Sequence, residues 1–187
     1  MYQICVSGAA KGESVEEGKD LALRVGTAIA EAGHALMTGA TIGLPNYAAE
    51  GYKAAGGKMS FGISPASSKV EHVRKYRLPT EAYDVILYTG LHYVGRDSLL
   101  ITSSDAVISI GGRLGTLHEF TIAMESGTPI GFLQGAGGIS NQINALMELA
   151  QPLRPGTTVL FENDPHALLD NLTKVLDQEL GVYKNLY

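Results

Sequence analysis

The stretch "ISIGGRLGTLHEF", Ile108–Phe120, decides how the chain is read. An apolar, β-branched run gives way to Gly111, Gly112 and Gly115, then to Thr116 and Glu119. The run reads as a buried strand and the residues from Thr116 onward as a helix, with Thr116 as its cap. Glycine permits positive φ and a close approach of backbone to a ligand. The N–H groups at a helix start, backed by the helix dipole, favour an anion. The stretch therefore predicts a strand, a turn that seats a phosphate, and a carboxylate one helical turn beyond it.

Working outward, the same alternation recurs. "YQICVSG" reads as a strand ending in Ser7-Gly8, followed by a helix from Ser14, where Ser14-x-x-Glu17 has the form of a capping box. "HALMTG" is a strand, and "LPNYAAEGYKAAGG" a helix with Pro45 near its start. "KMSFGIS" and "YDVILYTG" are the next strands, separated by a polar, basic segment from Pro65 to Pro79 that reads as a surface excursion. "GRDSLLITSS" is the helix before the central stretch. After it come "TPIGFLQG" (strand), "ISNQINALMELAQ" (helix), "TTVLFEN" (strand) and a last helix capped by Asp164 with Pro165 at its first position.

Alternating strands and helices with glycine-rich exits predict an α/β fold: a Rossmann-like, doubly wound parallel sheet of about seven strands with helices on both faces. Ligands of such sheets bind beyond the carboxyl ends of the strands, at the switch point. The glycines at Gly8, Gly39, Gly43, Gly111, Gly112 and Gly115 are expected on that edge. No linker or repeat divides residues 1–187, which are read as one domain.

Composition narrows the function. A 45 % apolar and 18 % charged chain is globular rather than disordered. A net charge of −5 argues against a nucleic-acid partner, which calls for a basic face. One cysteine, Cys5, suits a reducing compartment. The opening "MYQICVSG" has no signal-peptide pattern, and no apolar run approaches the ~20 residues of a membrane span. A cytoplasmic protein without a membrane partner is expected.

The glycine turns are not a dinucleotide fingerprint, because no G-x-G-x-x-G occurs, and "GYKAAGGK" departs from a P-loop in spacing and follows a helix. The five histidines, at 34, 72, 92, 118 and 166, show no paired ligand spacing, so no metal or other cofactor is assigned. His118 is read as solvated, on a different helix face from Glu119. Tyr83, Tyr88 and Tyr93 surround the fourth strand's exit as core residues or as a stacking surface for a base. "VRKYR" is a solvated charged stretch or a flap over an anion.

The segment "GRDSLLITSSDAVISIGGRLGTLHE" resembles the core of the "lonely guy" (LOG) proteins, also labelled lysine-decarboxylase-like, within the Rossmann-like nucleotide-binding superfamily. Their signature is Pro-Gly-Gly-x-Gly-Thr-x-x-Glu with an arginine one helix upstream. Gly112, Gly115, Thr116 and Glu119 match it, and Arg96 falls at the arginine position. Gly111 replaces the proline, Arg113 the second glycine, and Asp97 a lysine that usually follows the arginine. "CVSGAAKG" and "TGATIGLPNYAAEGYKAAGG" resemble the first two glycine turns, so the resemblance runs from Met1 to about Leu133.

The resemblance implies a nucleoside 5′-monophosphate ligand whose N-glycosidic bond is hydrolysed to free base and ribose 5-phosphate. Arg96 and Glu119 would be catalytic. Ser7, Gly8, Gly39, Gly43, Gly111, Gly112, Arg113, Gly115 and Thr116 would bind the nucleotide. A carboxylate would stabilise the oxocarbenium-like sugar or activate water, and Arg96 would hold it ionised or clamp a ligand oxygen. The altered signature leaves open a non-catalytic binder of a nucleotide or phosphate-bearing cofactor, such as a sensor or a molybdenum-cofactor carrier. A homodimer or a dimer of dimers is also implied.

Overall fold

The computed structural model describes residues 1–181. Seven strands, β1 (Gln3–Gly8), β2 (Ala35–Thr38), β3 (Ser60–Ser64), β4 (Val85–Tyr88), β5 (Ala106–Ile110), β6 (Ile130–Leu133) and β7 (Val159–Glu162), form one all-parallel sheet in the order β4-β3-β2-β1-β5-β6-β7. The chain winds outward from β1 to β4, then returns to lay β5 against the free side of β1 and winds the other way. The doubly wound α/β sheet predicted from the alternation is the one found.

The helices are α1 (Glu13–Glu31), α2 (Leu44–Ala54), α3 (His92–Thr102), α4 (Leu114–Ser126), α5 (Ile143–Leu149) and α6 (Pro165–Leu180). Two buried layers show how they divide. Ile4, Val6, Leu36, Ile108 and Leu133 pack on one face with apolar residues of α1, α2 and α6. Cys5, Met37, Val107, Ile130 and Phe132 pack on the other with residues of α3, α4 and α5. Successive strand residues point to opposite faces, so β1, β2, β5 and β6 must be apolar almost throughout.

Several local expectations need correction. α1 starts at Glu13 with Gly12 at the cap and no side-chain cap bond, so Ser14 lies inside the helix and forms no capping box. α4 starts at Leu114 with Arg113 at the cap, and Thr116 is a buried first-turn residue instead of the cap. In both cases glycine-rich loops carry the chain into the helix earlier than the polar residue suggested. α3 likewise begins at His92 rather than Gly95. The helix expected from Ile139 is split into a tight turn (Gly138–Gln142) and the short α5. The segment from Pro65 to Pro79 is only partly a surface excursion. It contains a helical turn, Glu71–Lys75, anchored by fully buried His72, which bonds Ser64 Oγ (2.8 Å) and Pro79 O (2.9 Å). Asp164 does cap α6, accepting from the N–H groups of His166 and Ala167.

α1 and α2 approach so closely that two of their glycines are steric requirements. A Cβ on Gly26 would lie 1.9 Å from the carbonyl oxygen of Ala48, and one on Gly51 would lie 2.1 Å from that of Leu23. Helix propensity alone favours alanine over glycine by ~1 kcal/mol. Backbone cannot yield as a side chain can, so we expect Gly26→Ala and Gly51→Ala each to destabilise by about 1–3 kcal/mol. Urea or thermal unfolding gives the sign directly: a stabilised variant would mean the helices are not held at this separation.

Candidate functional site

At the carboxyl edge of the sheet, the winding reverses between β1 and β5. Ser7 and Gly8 are in register with Ser109 and Ile110, and the Ala9 N–H bonds the Ile110 carbonyl across the joint (3.3 Å). α1 leaves β1 toward one face of the sheet and α4 leaves β5 toward the other, so a crevice opens between them. It holds a cavity of about 300 Å³.

The cavity is built from three loop-to-helix turns and α3. Gly8 ends β1 and Ala9, Ala10 and Lys11 follow it, Gly39, Thr41 and Pro45 come from the region after β2, and Arg113, Gly115, Thr116 and Glu119 from the cap and first turns of α4. Tyr93, Arg96 and Asp97 of α3 close one side. The first-turn N–H groups of Leu114, Gly115 and Thr116 have no acceptor within their own helix, so this end of the cavity offers N–H donors, a hydroxyl and the exposed Arg113 guanidinium.

Of the residues expected from sequence to bind or act, Gly8, Gly39, Arg96, Arg113, Gly115, Thr116 and Glu119 line the cavity. Ser7, Gly43, Gly111 and Gly112 do not. Ser7 lies beneath it, its hydroxyl bonded to Glu119 Oε2. Gly43 joins two of the loops: its φ is +83°, and the next residue, Leu44, donates its N–H to Ala9 O at 2.8 Å. Gly111 and Gly112 are floor, because the segment after β6 covers them. Ile139 donates to the Gly112 carbonyl (2.9 Å) and Ser140 Oγ to that of Gly111 (3.0 Å). Sequence reading gave Lys11 no place in the site and noted Asp97 only as a replacement beside Arg96; both line the cavity. Of the three tyrosines, only Tyr93 reaches the cavity; Tyr83 bonds Thr38 (2.9 Å) and Tyr88 packs edge-on against His72.

Arg96 is only 4 % exposed, its guanidinium laid against Gly39, where a Cβ would come within 1.5 Å of Nη1. Its Nε is 3.2 Å from Asp97 Oδ1, and Asp97 Oδ2 is 3.0 Å from His118 Nδ1. His118 therefore faces α3 rather than being simply solvated. Among the described residues neither Arg96 Nε nor Nη1 has a hydrogen-bond acceptor, so the Asp97 contact is an ion pair without a hydrogen bond.

The Arg96 charge favours the ionised form of Glu119, and larger opposing effects act on the same carboxyl. Burial and the negative charge of Asp97 push it up to about 7, against the Ser7 hydrogen bond and the Arg96 and His118 charges. Burial also raises the Cys5 thiol well above its usual range, so the cysteine beneath the site is an unreactive core residue.

These features define a Rossmann-like protein with a crevice at its switch point. The profile of the SLOG cluster4 family matches residues 1–168, and the chain belongs to that family, within the LOG/SLOG superfamily. A curated protein of Archaeoglobus fulgidus, described as uncharacterized, is 37 % identical over 134 residues, covering 72 % of this chain and 81 % of that one. Among solved structures, the protein TM1055 superposes with a TM-score of 0.79 at 24 % identity over 93 % of this chain and 99 % of its own, a likeness of fold. The molybdenum cofactor carrier protein MCP from Chlamydomonas reinhardtii gives 0.74 at 26 % identity, over 94 % and 98 %.

A raised carboxyl has a thermodynamic consequence. Between the ordinary value of 4.5 and about 7, folded Glu119 keeps a proton that the unfolded chain releases. The unfolded state then binds fewer protons, so this group lowers stability as pH rises through that window. Unfolding experiments at about pH 5 and about pH 8 should show Glu119→Gln gaining stability relative to the parent at the higher pH. A constant difference would show that the carboxyl titrates normally.

Proposed function

We propose that the protein binds a nucleoside 5′-monophosphate and hydrolyses its N-glycosidic bond, giving free base and ribose 5-phosphate. The phosphate sits on the N–H groups of α4's first turn, with Thr116 and Arg113 as further donors. The sugar lies over Glu119, and the base extends toward Ala10, Pro45 and Tyr93. The observation that carries the reading is geometric: the Glu119 carboxyl lines the same cavity as the free N–H groups of α4's first turn, and its burial and the nearby Asp97 raise it toward about 7. Glycosidic cleavage builds positive charge on the sugar and moves a proton at the leaving nitrogen or the attacking water, and an acid–base group is required where Glu119 stands.

A second reading is favoured by a specific resemblance: the molybdenum cofactor carrier protein aligns over nearly its whole length at 26 % identity. On that reading the crevice holds a phosphate-bearing cofactor without breaking a bond, and Glu119 only donates or accepts a hydrogen bond to the cargo.

Incubation with AMP, CMP, GMP and IMP, followed by chromatography for free base, separates the two. Hydrolysis should release base from at least one of the four, and Glu119→Gln should lower kcat by about 10²-fold or more. Arg113→Ala should raise KM more than it lowers kcat. Tight nucleotide or cofactor binding with no base released from any of the four would overturn the hydrolase and leave the carrier.

A further inference from the structure

Arg96 and Asp97, consecutive on α3, both border the cavity, and both are more than nine-tenths buried. Charges taken so far out of water are expected to spend their hydrogen-bonding capacity on one another. These two do not. Asp97 Oδ1 is 3.2 Å from Arg96 Nε, yet the pair is not aligned for a hydrogen bond, and among the described residues neither Nε nor Nη1 has an acceptor. The other Asp97 oxygen is taken, with Oδ2 3.0 Å from His118 Nδ1, and that contact fixes how the carboxylate stands. Oδ1 keeps its lone pairs unspent. The α3 wall of the crevice therefore presents an open acceptor beside a guanidinium with unmet donors.

An acceptor next to a donor is the complement of two hydroxyls on neighbouring carbons, one donating and the other accepting. A phosphate, which only accepts, is repelled by Oδ1 and belongs at the N–H groups of α4. We propose that Asp97 is a specificity-determining residue: with the Arg96 guanidinium beside it, its carboxylate reads the vicinal 2′,3′-hydroxyls of the ligand's sugar, so that the crevice selects ribose over 2-deoxyribose. The inference rests on the reading of the crevice as a nucleoside monophosphate site and deepens it. In that reading the sugar lies over Glu119, and Asp97 is bonded to His118, the neighbour of Glu119 in α4, on the same side of the cavity. A hydroxyl delivered to Oδ1 replaces the water displaced on binding. A sugar lacking that hydroxyl leaves a buried carboxylate oxygen desolvated and unpaired, and discrimination comes from this penalty rather than from the hydrogen bond alone.

The test needs neither turnover nor knowledge of the base. Ribose 5-phosphate and 2-deoxyribose 5-phosphate, which carry no glycosidic bond to a base, are titrated into the full chain and followed by ³¹P NMR, a method that reads weak binding. The parent protein is expected to bind ribose 5-phosphate tighter by about tenfold or more, as for a lost hydrogen bond to a buried charge. Asp97→Ala should bring the two affinities together. A merely structural role for Asp97 would weaken both sugars alike and leave their ratio unchanged, so an unchanged ratio in a variant folded by circular dichroism overturns the proposal. Equal affinities in the parent overturn it without any variant. Should Asp97→Ala fail to fold, Asp97→Asn fills the same space and should narrow the ratio, because a neutral amide oxygen accepts more weakly than a carboxylate. Binding of neither sugar phosphate removes the nucleotide reading together with this one. Base release accompanied by equal affinities removes this inference alone, and the expected ratio without base release removes only the hydrolase.

Discussion

The β1–β5 joint is the constraint on which the site depends. Two strands about a hundred positions apart in the chain lie side by side, and their following helices leave toward opposite faces of the sheet. A parallel sheet cannot fill the space between such helices with its own backbone, so a crevice is unavoidable there. What lies along it follows from register. Ser7, second from the end of β1, shares a face with Cys5 and therefore points toward α4, where its hydroxyl reaches Glu119. The carboxylate, the helix N-terminus and the three glycine turns meet because the sheet reverses its winding at that point.

Within that crevice the electrostatics are governed by crowding. Arg96 brings one buried positive charge, and Asp97 and Glu119 bring two carboxyls that compete for it. Asp97 has the closer contact, and Gly39 supplies the space that keeps the guanidinium where it is. Glu119 is left to Ser7. Desolvation and a like charge act in the same direction on it, so its proton is retained into the neutral range. The covering segment after β6 contributes as well. By bonding the Gly111 and Gly112 carbonyls it makes these glycines a rigid floor, and the cavity is left to the N–H groups and side chains of the next turn.

Architecture was readable from local pattern because strand and helix periods differ and because glycines mark each strand's exit. The buried runs of β1, β2, β5 and β6 are largely apolar on both faces, as the alternation with helices requires. Asp164-Pro165 marked the start of α6 for a reason internal to four residues: a side-chain oxygen reaches the next free N–H groups. The same logic failed at Ser14 and Thr116, where glycine backbone at positive φ or an extended loop took the cap position instead. His72 was unreadable for another reason. Its burial depends on Ser64 and Pro79, and no spacing announces that a histidine in a basic segment will fold inward.

The chain's own pattern thus determined the layers, the parallel sheet and the edge on which Gly8, Gly39, Arg113, Gly115, Thr116 and Glu119 would gather, since each follows from period, glycine position and the rule for switch points. Only the tertiary structure decided that Arg96 would lie against Asp97 and that Glu119 would bond Ser7. That choice turns on separations of a few ångströms between side chains of α3 and α4, and Coulomb energy in a poorly solvated pocket varies steeply over such distances.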